Sequence, residues 1–528
     1  MTGAKPLRDL RRSTAPARSA LKLTGSVVAV LFGLCGCDLA PAYRPPQYVL
    51  PANYQGSPPF TVAHPLDTLP RGPWWERFGD PTLNRLEQQL TAENPNLAAL
   101  AEQYTQARDL AAEARSGLFP QVTANGLVSD NKQSLERLFR PPNTNQPARE
   151  ASNQILAAAS WEPDFWSQIR NSTRAQKRLA QSSAAALATA RLSLQAELAN
   201  DYIALRGLDR QLAIYRASIA YYEQAVRITV QRLQGRIGAA LDVARARGQV
   251  ASTQALLDGA VANRAVLQHA IAVLVNVNPS SLSIPEDAAE QLTTPAVPVG
   301  VPSSLLQRRP DIAGAERQMA SANAGIGVSR AAFYPNVTLS ANAGFEAAGF
   351  NLLSLPNSLW MVGAGAVLPL FEGGLRRAEL QRSWSQYAQT RDNYRAIVLS
   401  AFQEVEDGLA LTTNLQAQAR QQSQAVTEAG KAQALTLQLY VGGLTNYLDV
   451  LVAQQTELTA LTVQVQVQVS RLQASVGLIR ALGGGWSTAE LPTEDEVLPF
   501  GPLDFTDSDR QPPQDGIGAR AREASLPP

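Results

Sequence analysis

The sequence predicts a mainly α-helical chain with a transmembrane β-barrel element, built from two copies of one helical-hairpin unit. Three observations carry the duplication, the long helices and the strands, and the export signal described below turns the strands toward a membrane barrel. Proline is absent from Trp166 to Asn278 and again from Leu370 to Leu491. Short motifs recur at fixed offsets. Before each long run stands a stretch in which small apolar residues alternate with polar ones, the period of a strand.

The chain begins with a basic segment (Lys5, Arg8, Arg11, Arg12, Arg18, Lys22) and an apolar run from Leu23 to Leu34. That run is too short to span a bilayer and reads as the core of a signal peptide over residues 1–36. It ends Leu34-Cys35-Gly36-Cys37, which resembles a bacterial lipobox, so Cys37 is expected to carry covalent lipid and become the mature N-terminus. Ordinary cleavage leaving a free thiol is the alternative, and Arg11-Arg12 fits twin-arginine export poorly. Asp38 conflicts with outer membrane delivery. In enteric bacteria an Asp after the lipid-bearing Cys tends to hold a lipoprotein at the inner membrane, a rule that varies among bacteria.

Composition excludes several classes. With 528 residues and a net charge of +1, the chain lacks the basic excess that nucleic acid binding requires. Its two Cys both lie in Leu34-Cys35-Gly36-Cys37, before any folded domain, which rules out a disulfide scaffold or a Cys/His zinc cluster. His64 and His269 are the only imidazoles, and neither has a ligand spaced beside it, so no catalytic or metal site is expected.

The duplication is legible in motifs. Asn94-Pro95-Asn96-Leu97 precedes Arg309-Pro310-Asp311-Ile312 by 215 positions, as Arg115 to Pro120 precedes Arg330 to Pro335. Gly235 and Leu241-Asp242-Val243 precede Gly442 and Leu448-Asp449-Val450 by 207. Within the first Pro-free run an apolar seam passes through Leu198, Leu205, Leu208, Leu212, Tyr215, Ile219, Tyr222 and Val226, with coiled-coil spacing. A helix from Trp166 to Gln234 would be about 100 Å long at 1.5 Å per residue. Its counterpart is Leu375 to Val441. Antiparallel helices are available at Val243 to Asn276, Val450 to Leu482, Leu83 to Leu118 and Ile312 to Phe333.

The alternating stretches place Val122, Ala124, Gly126 and Val128 on one face, with Val337, Leu339, Ala341, Ala343 and Phe345. Their partners are Ile155, Ala157, Ala159 and Trp161, and Trp360, Val362, Ala364, Ala366, Leu368 and Leu370. The pattern suits a transmembrane barrel or a soluble sheet, and the export signal tips the balance to the barrel. Four strands cannot enclose a lumen, since the smallest spanning barrels need about eight. The chain must therefore associate, or the strands do not span.

Trp74-Trp75, Phe78, Asp80-Pro81, Leu83, Leu86 and Asn94-Pro95 resemble the opening of the outer membrane factor family, the NodT-type efflux lipoproteins related to TolC. Val301 to Ile312, Glu316-Arg317-Gln318, Ala331 to Pro335, Leu370 to Gly374, Tyr440 to Gly443 and Ala481 to Trp486 extend the resemblance over nearly the whole mature chain. It implies a homotrimer whose protomers each give four strands to a twelve-stranded outer membrane barrel on a long α-helical barrel. The implied organisation is a Pro-rich segment at 37–81 and a first repeat at 82–278 (β-hairpin about 119–163). A connector at 279–310, a second repeat at 311–486 (β-hairpin about 333–371) and a Pro-rich flexible tail at 487–528 complete it. The implied function is passive conduction of small molecules to the outside, with a periplasmic adaptor and an inner-membrane RND-type pump as partners and no cofactor besides lipid on Cys37. A protein-secretion duct and a lipid-anchored scaffold without a pore are the alternatives.

The helix turns are the expected site of closure and of adaptor contact: Gly235 and Gly238 in the first, Gly442 and Gly443 in the second. In the family, acidic residues just after the second turn ring the pore, and Asp449 falls on such a position. Val452 takes the place of a second frequent acid, which shifts closure there toward apolar packing. Asn446-x-x-Asp449 also reads as a helix-capping pair, and Gly235 and Gly442 as helix terminators that tolerate left-handed backbone. Arg308-Arg309 reads as solvated or salt-bridged rather than as an anion site.

Overall fold

A computed structural model of the chain describes residues 37–46, 72–132, 134, 149–288, 292–295 and 308–503. The expected signal peptide, His64, Val301 to Gln307 and the tail beyond 503 lie outside the described residues. The chain divides into two compact units. The sheet unit comprises Met1–Tyr43, Ala111–Gln176 and Ala320–Tyr387, and the helical unit Arg44–Leu110, Lys177–Met319 and Ala388–Pro528.

The first copy contains α1 (Pro81–Glu93), α2 (Pro95–Ser116), β1 (Gln121–Lys132), β2 (Arg149–Trp161), α3 (Gln168–Gln234) and α4 (Ala240–Leu274). The second contains α5 (Pro310–Ala331), β3 (Asn336–Ala347), β4 (Ser358–Val367), α6 (Leu375–Val441) and α7 (Tyr447–Ala481). Both ends of α5 and β3 lie 215 positions after those of α2 and β1. Both ends of α6 and α7 lie 207 after those of α3 and α4. The shortening of the second copy is thus confined to the turn and returning strand of its β-hairpin.

The helix expected from Leu83 to Leu118 is broken. Asn94 stands before Pro95, where sterics disfavour helical backbone, and it adopts φ −66° and ψ 123°. Its Oδ1 then caps α2 by accepting from the N–H groups of Asn96 (2.9 Å) and Leu97 (3.2 Å), while its Nδ2 donates to the carbonyl of Leu274 at 2.7 Å. The expected α3 seam is observed: Leu198, Leu205, Leu212, Tyr215 and Tyr222 are buried, with Leu208 and Val226 packed beside them.

Four helices end in one motif. The N–H five residues past a carbonyl bonds back to it while the residue before adopts left-handed backbone, as in Schellman caps. Ile237 N–H reaches Arg232 O after α3 and Val277 N–H reaches Ala272 O after α4, each at 2.9 Å. Leu444 N–H to Leu439 O and Gly484 N–H to Ile479 O repeat this at 2.9 Å after α6 and α7. The left-handed residues are Arg236, Asn276, Gly443 and Gly483. Sequence reading put this role on Gly235 and Gly442. It falls one residue later, because the motif needs positive φ at the position following the last helical turn. At Gly483 a side chain would also collide with the Arg308 carbonyl oxygen.

The sheet is antiparallel throughout, in the order β1-β2-β3-β4, and the β2–β3 ladder (Asn153 with Ala347 to Trp161 with Leu339) joins the two copies. Leu368 and Leu370, expected to continue β4, lie beyond its end at Val367. Pro369 has no N–H to extend the ladder.

In the helical unit the principal core gathers Trp74, Trp75 and Phe78 on Leu83, Leu86 and Leu90 of α1, Leu198, Tyr202 and Leu205 of α3, and Leu472 and Val476 of α7. Buried charges hold the connector to it. Asp209 accepts from Arg206 (3.0 Å) and Arg264 (2.5 Å), which in turn donate to the carbonyls of Pro285 (2.9 Å) and Ile284 (2.8 Å). Arg309 is salt-bridged as expected, to Asp311 (2.6 Å) and Glu404 (2.7 Å), and it also donates to the Ala481 carbonyl at 3.1 Å.

Residues 487–503, expected as the start of a flexible tail, are docked. Gln181 donates to the Pro492 carbonyl (2.7 Å), Arg108 to that of Val497 (3.1 Å), Arg178 pairs with Glu494, and Val497 is buried. Proline content led to the expectation of extended or disordered backbone, whereas the segment carries a 3-10 turn at Thr488–Glu490 and further turns bonded from Val497 to Thr493 and from Leu498 to Asp495, and its contacts come from side chains distant in sequence.

Glu87 is the anomaly of the core. It is fully buried on α1, neither carboxyl oxygen meets a hydrogen-bond partner among the described residues, and burial pushes its pKa well above the glutamate range. Such a group keeps its proton in the fold after the unfolded chain has released its own. Its contribution is therefore full in acid and declines as pH rises through that window. Glu87→Gln should melt like the parent in acid and progressively above it as pH rises past the usual glutamate pKa. Parallel melting profiles at all pH values would contradict this assignment.

Candidate functional site

The sheet unit presents one face that is apolar and open. Register places Val122 opposite Ala159, Ala124 opposite Ala157 and Gly126 opposite Ile155. It continues with Ile155 opposite Phe345, Ala157 opposite Ala343, Leu339 opposite Ala364, and Ala343 opposite Trp360. Val122 (73%), Val128 (72%), Trp360 (78%) and Val362 (74%) are largely accessible, which a sheet folded on a soluble core does not leave. The other face carries Thr123, Asn125, Ser129, Ser160, Thr338, Ser340 and Asn342 on β1 to β3, with Leu127 and Leu156 among them, while β4 gives it Leu359, Met361, Gly363, Gly365 and Val367. Apolar-out and polar-in alternation with strands of 12, 13, 12 and 10 residues is the pattern of a lipid-facing barrel wall. Trp161 stands toward one end of the apolar face, its indole N–H donating to the Leu118 carbonyl at 3.1 Å, and Phe345 and Trp360 toward the other. Among the described residues no helix is long and apolar enough to cross a membrane.

In the helical unit, the turns after α3 and α6 are tied to each other. Arg232 donates to the terminal carbonyls of α6, Tyr440 (3.0 Å) and Val441 (3.1 Å), and its guanidinium lies 4.7 Å from the centroid of the Tyr440 ring. The Tyr440 hydroxyl sits 3.5 Å from the Asp242 carboxylate, and its ring packs at 5.3 Å edge-to-face on Tyr447. Burial, then the neighbouring Tyr440 and Asp242, push the Tyr447 phenol up to about 12. Cations at helix C-termini are favourable, and Arg232 adds a charged donor to the Val441 carbonyl and to that of Tyr440, which also accepts the Gly443 N–H at 3.0 Å. Arg232 was not singled out in the sequence, and Asp242 and Tyr440 stood there only as motif residues without a site role. The signal was the duplication itself, because Asp242 is the counterpart of Asp449.

The expected site residues are placed as follows. Gly443 carries the left-handed turn, and a Cβ on Gly238 would come within 2.9 Å of the Arg232 Cβ. Gly235 and Gly442 are exposed, and a Cβ on either would make only ordinary contacts. Asp449 and Val452 are exposed one turn apart on α7. Asn446 Oδ1 accepts the Asp449 N–H at 3.1 Å and the Thr445 hydroxyl bonds its carboxylate, so the capping geometry is present. Cys37 is exposed, and the Ser167 hydroxyl donates to its carbonyl at 3.3 Å. His269 lies exposed on α4, and among the described residues no three His, Cys, Asp or Glu side chains are grouped to hold a metal.

These features agree with known proteins. The profile of the outer membrane efflux protein family matches residues 86–276 and 301–484. The chain is 31% identical to the pyoverdine export outer membrane protein OpmQ of Pseudomonas aeruginosa over 466 residues, 87% of this chain and 96% of that one. It is 30% identical to the toluene efflux pump outer membrane protein TtgC of Pseudomonas putida over 474 residues, 87% and 95% of the two chains. Among solved structures it superposes on the outer-membrane channel OprN with a TM-score of 0.79 at 28% identity, covering 85% of this chain and all of that one. The open-state MtrE outer membrane channel of Neisseria gonorrhoeae gives 0.74 at 27%, covering 85% and 98%. The mainly α fold with a small membrane sheet, expected from the sequence, is the fold of these channels, and the chain belongs to the outer membrane efflux protein family.

Proposed function

We propose that three copies of the chain form one outer membrane duct that passively conducts small molecules delivered from below by a periplasmic adaptor and an inner-membrane RND-type pump. The observation that carries this reading is the four-stranded sheet with an open apolar face. One protomer supplies half the strands of the smallest spanning barrel, and three supply twelve. The polar face then lines water and the apolar face meets lipid, which a scaffold without a pore would not need. Conduction of this kind makes and breaks no covalent bond, and the chain acts as a passage rather than as an enzyme. Cys37 would carry the lipid anchor, and its exposed position leaves room for acyl chains.

Closure belongs to the helix turns. Three Asp449 carboxylates near one axis would repel each other and attract cations, with Val452 one turn along providing apolar contact. Gly235 and Gly442 are free of conformational demand, so their exposed surface is available to the helical hairpins of an adaptor. Gly238 and Gly443 hold the turn shape that presents it.

Detergent-extracted protein should have the mass of three chains and form discrete channels in planar bilayers. Asp449→Ala should relieve block by added cations. A monomer, or bilayers that stay silent, would overturn the duct, and unchanged cation block would remove Asp449 from the gate.

Arg232→Ala deletes the tie between the turns while leaving both helices intact. Its channels should open more often and conduct more at rest than the parent. Equal resting conductance would show that the tie does not restrain closure.

A further inference from the structure

The segment following Cys37 is held in a built groove of the sheet unit. Asp38 Oδ1 accepts from Asn171 Nδ2 (2.9 Å) and from the Ala40 N–H (3.0 Å), and its Oδ2 from Arg174 Nη1 (2.9 Å). Arg174 is itself oriented by Asn171 Oδ1 at 2.8 Å. Arg330 donates to the Leu39 carbonyl (3.1 Å) and Asn323 to that of Pro41 (2.8 Å). Asn171, Ser167 and Asn323 are buried. Gly327 makes room, since a Cβ there would lie 2.6 Å from Asn171 Nδ2 and 2.8 Å from the Ala40 Cβ. Partial burial acts to raise the Asp38 pKa, but the bonds from Asn171 and Ala40 and the charge of Arg174 outweigh it and leave the carboxyl below its ordinary range.

A surface strand lying loosely on the protein would not meet buried amides aimed at its carboxylate and its carbonyls in turn. We propose that Asn171 and Arg174 form a receptor for the chain's own Asp38, and that its occupation, which pairs both carboxylate oxygens although the side chain stays 43% exposed, withholds from the lipoprotein-sorting machinery the free acid beside the lipid-bearing cysteine. The inference rests on the reading that Cys37 is lipidated. It resolves the conflict that Asp38 poses for an outer membrane protein. A sorting factor that discriminates against Asp has to contact the carboxylate, and here both of its oxygens are already engaged by charge-assisted or amide hydrogen bonds. Docking also explains why an Asp can stand at this position, where Ser would serve sorting better but would leave Arg174 without its ion pair.

The test expresses the full chain in an enteric host, labels it with palmitate, and separates inner from outer membranes. Wild type should be labelled and found in the outer membrane. Asn171→Ala with Arg174→Ala should shift the labelled chain to the inner membrane, and adding Asp38→Ser should return it to the outer membrane although the salt bridge is still missing. A merely structural receptor gives no such rescue, so a triple variant that stays in the inner membrane overturns the proposal, as does a double variant sorted like wild type. A wild-type chain that takes no label overturns the lipidation reading itself and the masking with it. Labelled chains whose fractionation ignores the receptor overturn masking alone.

Discussion

β1 and β4 each leave one side of their backbone without a partner strand in the four-stranded order, and hydrocarbon offers those N–H and C=O groups nothing to bond. An unsatisfied backbone group in lipid costs several kcal/mol, and each edge presents a row of them over 10 to 12 residues. The apolar face that makes the sheet fit for a membrane is therefore also what forbids it to enter one alone. Pairing the β1 edge of one copy with the β4 edge of the next removes both rows, and closure of the ring follows from the same contact repeated. In the proposed duct, membrane residence, oligomerisation and a water-filled lumen would be one consequence of backbone chemistry.

The helical part obeys a different constraint. A helix of 67 residues is stable only with neighbours along its length, and duplication supplies them in pairs. Identical bounds at an offset of 207 show that the two copies are held to one length, while the β-hairpins absorb the difference between copies. A fixed helix length keeps both turns available for the tie that Arg232 makes to the end of α6. A hairpin one helical turn longer in either copy would carry Arg232 past those carbonyls.

Much of this was legible because proline and glycine punctuate the chain where backbone geometry changes. Leu375 to Val441 was read to the residue, and the apolar strand face was assigned correctly on all four strands, since a period of two leaves only one choice of face once the ends are fixed. The break at Asn94 and the stop at Val367 are marked by Pro95 and Pro369, which the helical and strand periods overrode. The left-handed turns at Arg236 and Gly443 depend on how one residue's backbone serves its neighbour, which composition and periodicity do not encode. The tie through Tyr440 and Asp242 and the docking of residues 487–503 join positions far apart in sequence. Asp38 was noticed as a conflict, and its partners Asn171 and Arg174 lie more than 130 positions away. In a single sequence nothing marks such pairs.

The central claim is that the two sheet edges pair between copies, and disulfide trapping reads it directly. Thr123→Cys on β1 would be combined in turn with Leu359→Cys, Met361→Cys, Gly363→Cys or Gly365→Cys on β4, all on the polar face. Within one chain these strands are separated by two others, roughly 14 Å at about 4.8 Å per step, beyond the reach of a disulfide. The account predicts that one of these pairings, on oxidation in outer membranes, gives a covalent species of three chains. Failure of all four to link chains, or linkage that stops at two, would contradict it.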